Sequence, residues 1–326
     1  MIISQTPVRM SFFGGGTDFP EFYNEHSGSV ISTTFNKYCH VIVRPLPEKL
    51  FEYKSKLMYA QIEEVSNIDE IKHPAIRNAM KWLGLERVFL NYDADIPAKT
   101  GLGTSSAFSV GMLNAFYTMQ GISKTKRELA DDAIYLERTL CNEDGGFQDQ
   151  IAAAFGGFNR IDFTSEGYKV TPLEISSERK EMLNDNLMVF FTGLSRYSFH
   201  VQKATKSMLS KRTAELLEIL RMVDDAEKIL VESDRSLDDF GLMLNETWML
   251  KRSISSEISN SMIDDIYIKA LRAGALGGKL LGAGGGGCLL FYVPKENQPA
   301  VRNALSDLYE VDFRFENEGT KIICNY

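Results

Sequence analysis

The sequence predicts an α+β protein of two domains, on three observations. Its 326 residues fit two units at roughly 100–200 residues per domain. Strand-like and helix-like segments are interleaved through both halves. A polar stretch, SSERKEMLNDN at 176–186, separates the halves, so the expected domains are 1–178 and 179–326. Hydrophobic residues at 44% and charged residues at 25% are ordinary for a globular chain with a sizeable core.

Residues 1–45 read as short strands broken by a glycine loop. Within them VISTTFNKYCHVIVRPL is rich in β-branched and aromatic residues and is closed by Pro45 and Pro47. ERVFLNYDADIP reads as a strand. Helices are expected over 104–119 and 124–140, the second with Ser123 as N-cap. FGGFNRIDF and YKVTPLEI follow as strands, and LMVFFTG as a buried strand. Helical segments are expected over 199–233 and 235–275. The chain then runs through KLLGAGGGGCLLFYV, a helix from Pro299 to Tyr309, and final strands near RFENE and KIICN.

Bulk properties exclude several classes. A net charge of −8 argues against nucleic acid or an anionic membrane as partner, because both attract a basic surface. A phosphorylated small molecule needs only a local cluster of donors and stays open. Cys39, Cys141, Cys288 and Cys324 are far apart and form no CxxC pair, so neither a zinc site nor a redox motif is indicated. His26, His40, His73 and His200 have no metal-ligand spacing. The N-terminus lacks the basic and apolar regions of a signal peptide, and no apolar run approaches the ~18 residues of a membrane span. A cytoplasmic protein is expected; its oligomeric state is not indicated.

Three glycine loops stand out. In PAKTGLGTSSAF, 97–108, Gly101 and Gly103 allow tight bends, and Thr104, Ser105 and Ser106 open a helix. Unpaired N–H groups at a helix N-terminus make a ready anion site; the plainer reading is a capped loop. GAGGGG at 282–287 satisfies G-x-G-x-x-G, but the dinucleotide fingerprint must open a helix, and the strand-like CLLFYV follows here. A Walker A loop is absent, because Gly278-Lys279 is followed by Leu280 and residue 273 is Ala. No His-Arg-Asp triplet of a protein kinase appears. In FFGGGTDF, 12–19, Arg9 and Ser11 share one strand face leading to the glycines. Asp18 is placed to accept hydroxyl hydrogen bonds from a sugar, or simply to close a turn.

Two carboxylates lie between these loops. Glu137 is seven, four and three residues beyond Ala130, Ala133 and Ile134 and shares their helical face. An inward carboxylate needs a cation: a salt-bridge partner, or Mg²⁺, which takes hard oxygen donors. Twelve residues on, Asp149 follows Gly145-Gly146 in GGFQDQIAAAFGG. It is either a surface acid or a positioned acceptor for a hydroxyl proton in phosphoryl transfer.

Taken together, RMSFFGGGTDF, PAKTGLGTSSAF and KLLGAGGGGCLLFY, in this order and spacing, resemble the GHMP kinase superfamily over nearly the whole chain. The Gly-Gly-Gly-Thr-Asp string and GGFQDQIAAAFGG are most similar to its sugar-1-kinase branch. The resemblance implies an N-terminal domain like ribosomal protein S5 domain 2 and a ferredoxin-like C-terminal domain, with the site in the cleft between them. It implies ATP and Mg²⁺ as cofactors. ATP would be held by Pro97, Lys99, Gly101, Leu102, Gly103, Thr104, Ser105 and Ser106, and Mg²⁺ by Ser105 and Glu137. Asp149 would be the catalytic base and Arg9 its supporting cation. Gly15, Gly16, Thr17, Asp18, Asp149, Gly284 and Gly285 would line the sugar site. Galactokinase has Gly-Glu-His-Thr-Asp where this chain has Gly-Gly-Gly-Thr-Asp. The two lost side chains leave room for a larger or phosphorylated sugar, with heptose 7-phosphate the expected acceptor and its anomeric hydroxyl the expected target. An L-fucokinase or galactokinase type is the alternative. Arg196, at the turn after LMVFF, is a candidate for gripping a terminal phosphate, or a solvated cation. A non-catalytic sugar sensor and a dinucleotide-dependent oxidoreductase are rival readings. The joint presence of Ser105, Glu137 and Asp149 argues against the first, and the strand after GAGGGG against the second.

Overall fold

Two long strands frame the N-terminal half. In the computed structural model, which describes all residues except 195–197 and only the backbone of 198–200, β1 (Ile2–Phe13) pairs antiparallel with β2 (Gly28–Pro45). The short strands expected over 1–45 are thus two long ones, joined by the first glycine loop and helix α1 (Pro20–His26). Register shifts at Pro7/Val8 and Ser11/Phe13 flank the segment carrying Arg9 and Ser11. Bulges of this kind re-aim side chains and recur beside active sites. Both faces of this segment are buried, so Arg9 and Ser11 point into a junction rather than to solvent.

The sheet continues through β3 (Ser55–Met58), β4 (Ile62–Val65) and, after helix α2 (Pro74–Leu83), β5 (Val88–Ala94), in the order β1-β2-β5-β3-β4. Helix α3 (Thr104–Met119) lies against β1 and β2 and is buried on nearly every side, as a helix with no charged residue and no distinct polar face allows. Helix α4 (Lys126–Ile134) starts at a capping box between Thr125 and Glu128 rather than at Ser123. The reciprocal bonds satisfy two otherwise orphaned N–H groups, which Ser123 has no acidic partner to do. The expected helix over 124–140 then loosens into a π-helical turn, Tyr135–Leu140. Helix α5 (Gln148–Phe155) and strands β6 (Phe158–Thr164) and β7 (Gly167–Pro172) complete this half, with β6 on β2 and β7 on β6.

The polar stretch 176–186 is a helix, α6 (Ser177–Asn186), and not a linker. Ser176 caps it by accepting from the Arg179 amide at 3.2 Å. Arg179 is buried because its guanidinium caps carbonyls of Leu230, Ile229 and Arg235. Composition alone could not show that this charge is spent inside. Beyond it come β8 (Leu187–Phe191), α7 (Ser198–Met208), α8 (Thr213–Val231), α9 (Asp238–Ile254) and α10 (Ser261–Arg272). The two expected long helical segments are therefore each divided, the first at a 3-10 turn over Leu209–Lys211. Asp239-Phe240-Gly241 lies within α9, where Phe240 packs edge-on against Phe12 and Phe13. Phe240 and Gly241 are buried and Asp239 is exposed, so this triplet is a stretch of helix and not a metal-binding loop. Strands β9 (Gly277–Leu280) and β10 (Cys288–Tyr292), a helix shorter than expected, α11 (Gln298–Ala304), and β11 (Tyr309–Glu310) close an antiparallel sheet of order β11-β8-β10-β9.

The chain then returns. β12 (Phe315–Glu316) pairs with β2, and β13 (Lys321–Asn325) pairs with β1. A cut at residue 178 would therefore separate these strands from the sheet they complete. Among the described residues, no helix is long and apolar enough to cross a membrane.

Candidate active site

The second and third glycine loops meet backbone to backbone. Lys99, Gly101 and Gly103 have φ of 66°, 78° and 75°, so the chain turns through left-handed conformations before α3 begins. A Cβ on Gly101 would lie 2.2 Å from the Leu281 carbonyl oxygen, and one on Gly282 would lie 2.6 Å from the Gly101 Cα. Glycine is therefore obligatory at both positions. The Cys288 amide donates to the Thr100 oxygen at 2.9 Å. No side chain caps the first turn of α3. Its leading N–H groups are thus left for an anion such as a nucleotide phosphate.

Arg9 ties this loop to the first one. Its amide donates to the Leu102 oxygen at 3.0 Å and its Nη1 to the Gly101 oxygen at 2.7 Å. Its Nε and Nη2 donate to Asp149 Oδ1 and Oδ2, both at 2.7 Å. Arg9 is buried, whereas the Asp149 side chain, in the first turn of α5, remains 23% exposed. Asp149 is thus fixed by a two-toothed cation yet reachable. Each of its oxygens retains a lone-pair site for a further donor.

Asp18 is buried. It accepts from the Gly16 amide at 3.0 Å and the Gln148 amide at 3.3 Å. Burial pushes its carboxyl above the ordinary value; the two amides oppose the shift and the Asp149 charge adds to it. Gly146 makes room for it, since a Cβ there would fall 2.0 Å from Asp18 Oδ2. Thr17 bonds to Gly14, Ser29 and the Ser29 amide, so its hydroxyl locks the loop. Gly284 and Gly285 do not join this cluster: Gly284 backs onto Ile258, and the Gly285 amide donates to the Ile258 oxygen. Arg196 lies outside the described residues.

Glu137 sits on the π-helical turn and is buried. Its Oε2 accepts from Ser106 Oγ at 3.2 Å and Gln150 Nε2 at 2.5 Å, while Oε1 finds no hydrogen-bond partner among the described residues. The nearest cation is Arg138, 3.8 Å from Oε2. A buried carboxylate oxygen with no donor fits a hard cation. The neighbouring Glu143 is pushed up to about 7 by burial, with the Glu137 charge behind it. Ser106, and not Ser105, faces Glu137; Ser105 is exposed on the opening turn. Among the described residues no cluster of three or more His, Cys, Asp or Glu side chains forms a metal cage. Mg²⁺ does not need one, since it commonly binds one or two carboxylates together with substrate phosphates.

Two residues at this site escaped the motifs. Lys279, on β9, is buried, and its Nζ donates to the Ser11 and Phe12 oxygens at 2.9 and 2.8 Å. Lys251, on α9, donates to the Gly282 oxygen at 2.8 Å. Burial, reinforced by Arg9, pulls its ammonium down to about 8, against the pull of Asp18 and Asp149. Lys251 was detectable, because it lies seven, four and three residues after Leu244, Thr247 and Trp248, all buried. In Lys279 the signal was a charge inside the apolar run GGKLLG.

The chain is similar to known proteins along its whole length. Residues 70–157 match the GHMP kinases N terminal domain and residues 222–311 the GHMP kinases C terminal domain. The chain is 30% identical to the D-glycero-alpha-D-manno-heptose 7-phosphate kinase of Campylobacter jejuni, covering 98% of both chains. A putative sugar kinase from Campylobacter jejuni, of known structure, is 27% identical with a TM-score of 0.72, covering 98% of this chain and 97% of that one. A D-glycero-D-manno-heptose 1-phosphate kinase structure from Bacteroides thetaiotaomicron superposes with a TM-score of 0.82 over 100% of both chains at 22% identity, a likeness of fold. With both halves matched and the full length covered, the chain is an α+β kinase that belongs to the GHMP kinase family.

Proposed function

We propose that the chain transfers the γ-phosphoryl group of ATP to the anomeric hydroxyl of D-glycero-D-manno-heptose 7-phosphate, giving the 1,7-bisphosphate for nucleotide-activated heptose and a surface glycan. The observation that carries the reading is the two-toothed Arg9–Asp149 pair beside the buried Asp18. The full-length likeness to a heptose 7-phosphate kinase supports the choice of sugar.

In this reading the amides opening α3, with the loop from Pro97 to Ser106, hold the nucleotide phosphates. Asp149 accepts the proton of the anomeric hydroxyl as its oxygen bonds to the γ-phosphorus and the bond to the bridging oxygen of ADP breaks. Arg9 orients Asp149 and offsets charge developing beside it. Asp18 binds sugar hydroxyls, its two oxygens already aimed by backbone amides. Glu137 would hold Mg²⁺ together with a serine of the opening turn of α3, either Ser105 or the Ser106 that faces it, and the ion would supply charge neutralisation on the phosphates.

The test is a panel of acceptors with ATP and Mg²⁺: heptose 7-phosphate, unphosphorylated heptose, L-fucose and D-galactose, with products located by phosphorus NMR. A new anomeric phosphate, formed fastest on heptose 7-phosphate, is expected. Equal or faster turnover of the unphosphorylated heptose removes the phosphate from the assignment. Transfer to L-fucose or D-galactose alone moves the chain to the alternative sugar-1-kinase reading.

A further inference from the structure

The backbone of Gly15 faces a small space bordered by three polar side chains from three separate elements. A Cβ built on Gly15 would lie 3.8 Å from Gln148 Nε2, 3.9 Å from Ser11 Oγ and 4.0 Å from Lys251 Nζ, with no closer neighbour. These are ordinary contact distances, so the absent side chain leaves a gap of atomic size lined by polar groups. Two of the groups are poorly satisfied. Ser11 Oγ and Gln148 Oε1 are buried and find no hydrogen-bond partner among the described residues. An unpaired buried hydroxyl or amide oxygen leaves its desolvation uncompensated, so a fold that keeps two of them has a use for them. Lys251 directs one N–H to the Gly282 oxygen, and an ammonium has three donors.

The framework is tied together by groups from both halves of the chain. Ser11 lies beside a register shift in β1, and Lys279 clamps the carbonyls of Ser11 and Phe12 from the second sheet. Gln148 opens α5 immediately before Asp149. Lys251 comes from α9, across the junction. The donors and acceptors therefore converge next to the group proposed to deprotonate the substrate.

We infer that Ser11, Gln148 and Lys251 form a hydroxyl-reading subsite over the Gly15 backbone, and that it binds the C2 hydroxyl, the one adjacent to the anomeric hydroxyl that reacts. The inference rests on the sugar-kinase reading. A hydroxyl both donates and accepts, which matches a site offering the Ser11 hydroxyl, the Gln148 carboxamide with its Nε2 toward Gly15, and the Lys251 ammonium. Lys251 is then the residue through which the C-terminal half selects the sugar, and its ammonium is a donor that a neutral side chain cannot replace.

The test compares wild type, Lys251→Met, Lys251→Arg, Ser11→Ala and Gln148→Leu on the sugar that the wild type phosphorylates best and on the 2-deoxy form of that sugar. Lys251→Met should raise KM for the intact sugar about 10–150-fold, as expected for a lost charge-assisted bond, and leave KM for ATP within about threefold. Ser11→Ala and Gln148→Leu should raise it less, about 3–15-fold. On the 2-deoxy sugar the differences between wild type and variants should shrink, because the partner hydroxyl is already gone. Equal losses on the intact and deoxy sugars, or a loss confined to ATP, overturn the subsite. Should Lys251→Met fail to fold by thermal melt, the same cycle with Ser11→Ala and Gln148→Leu decides. A wild type active on sugar with unaffected variants removes the subsite alone. A wild type inactive on every sugar removes the kinase reading, and the subsite with it.

Discussion

Asp149 and Glu137 are carboxylates twelve residues apart, and the protein treats them in opposite ways. Asp149 is bound on both oxygens by one guanidinium and is partly open to solvent. Glu137 is buried, receives both of its donors on one oxygen and leaves the other bare. The first carboxylate is complete within the protein and exposed for work on a ligand. The second keeps one oxygen without a donor among the described residues. Under the proposed function, this contrast distinguishes the proton acceptor from the ion ligand more sharply than either residue's motif does.

The largest expected effect tests the finished site. Asp149→Asn keeps the shape and removes the charged proton acceptor, so turnover should fall ~10²–10⁴-fold while ATP binding is retained. A loosely bonded transition state needs little early proton removal, which favours the lower part of that range. Steady-state rates with nucleotide affinity measured by calorimetry check this. A near-normal kcat would reduce Asp149 to an orienting partner of Arg9 and erase the contrast with Glu137.

The unfinished site should respond to the ion. Glu137→Gln and Ser105→Ala are each expected to lower turnover roughly 10–100-fold, the scale on which metal sites respond to altered surroundings, and to move the Mg²⁺ requirement upward. The double variant should lose little more than the worse single, because one ion is already lost. Rates titrated against Mg²⁺ for the singles and the double are the measurement. Multiplicative losses at an unchanged Mg²⁺ requirement would mean that the bare oxygen of Glu137 does not serve an ion. If Ser106→Ala shifts the requirement and Ser105→Ala does not, the serine that faces Glu137 is the ligand.

Much of this arrangement was legible in the chain, for a physical reason. A close approach to another backbone excludes a side chain, so Gly101 reads as a tight bend in the sequence, while its meeting with Gly282 appears in the structure. The inward face of Glu137 followed from its spacing to Ala130 and Ala133, and both are buried. Which serine would face Glu137 did not follow, because α3 is buried almost all round and its periodicity names no face. The π-helical turn under Glu137 has no sequence signature. The return of β13 to β1 pairs residues more than three hundred positions apart, such as Ile2 with Asn325, and no local pattern encodes that register. Lys251 and Lys279 were overlooked because a lone lysine is ordinarily a surface residue; each acts only through a junction formed by the distant half of the chain.

The last and smallest effect sets the two carboxylates apart by pH. A second cation, Lys251, stands near Asp149, with Arg9 from β1, Asp18 from the first loop, Asp149 from α5 and Lys279 from β9 around it. Desolvation brings its pKa down to about 8, so it is charged below that pH and neutral above it. As pH rises past this point the free enzyme loses the ammonium offered to the sugar. kcat/KM, which reports the free enzyme, should bend downward and lose about tenfold by one pH unit above the bend. Lys251→Met should lack this limb, starting lower and meeting the wild-type curve at high pH. Glu137→Gln should keep the limb at its original position, since the bend belongs to the Asp149 side of the site. A limb that survives in Lys251→Met would assign the titration to another group. A limb that moves in Glu137→Gln would show that the Glu137 charge is coupled to Lys251 and that the two sites are not separate in function.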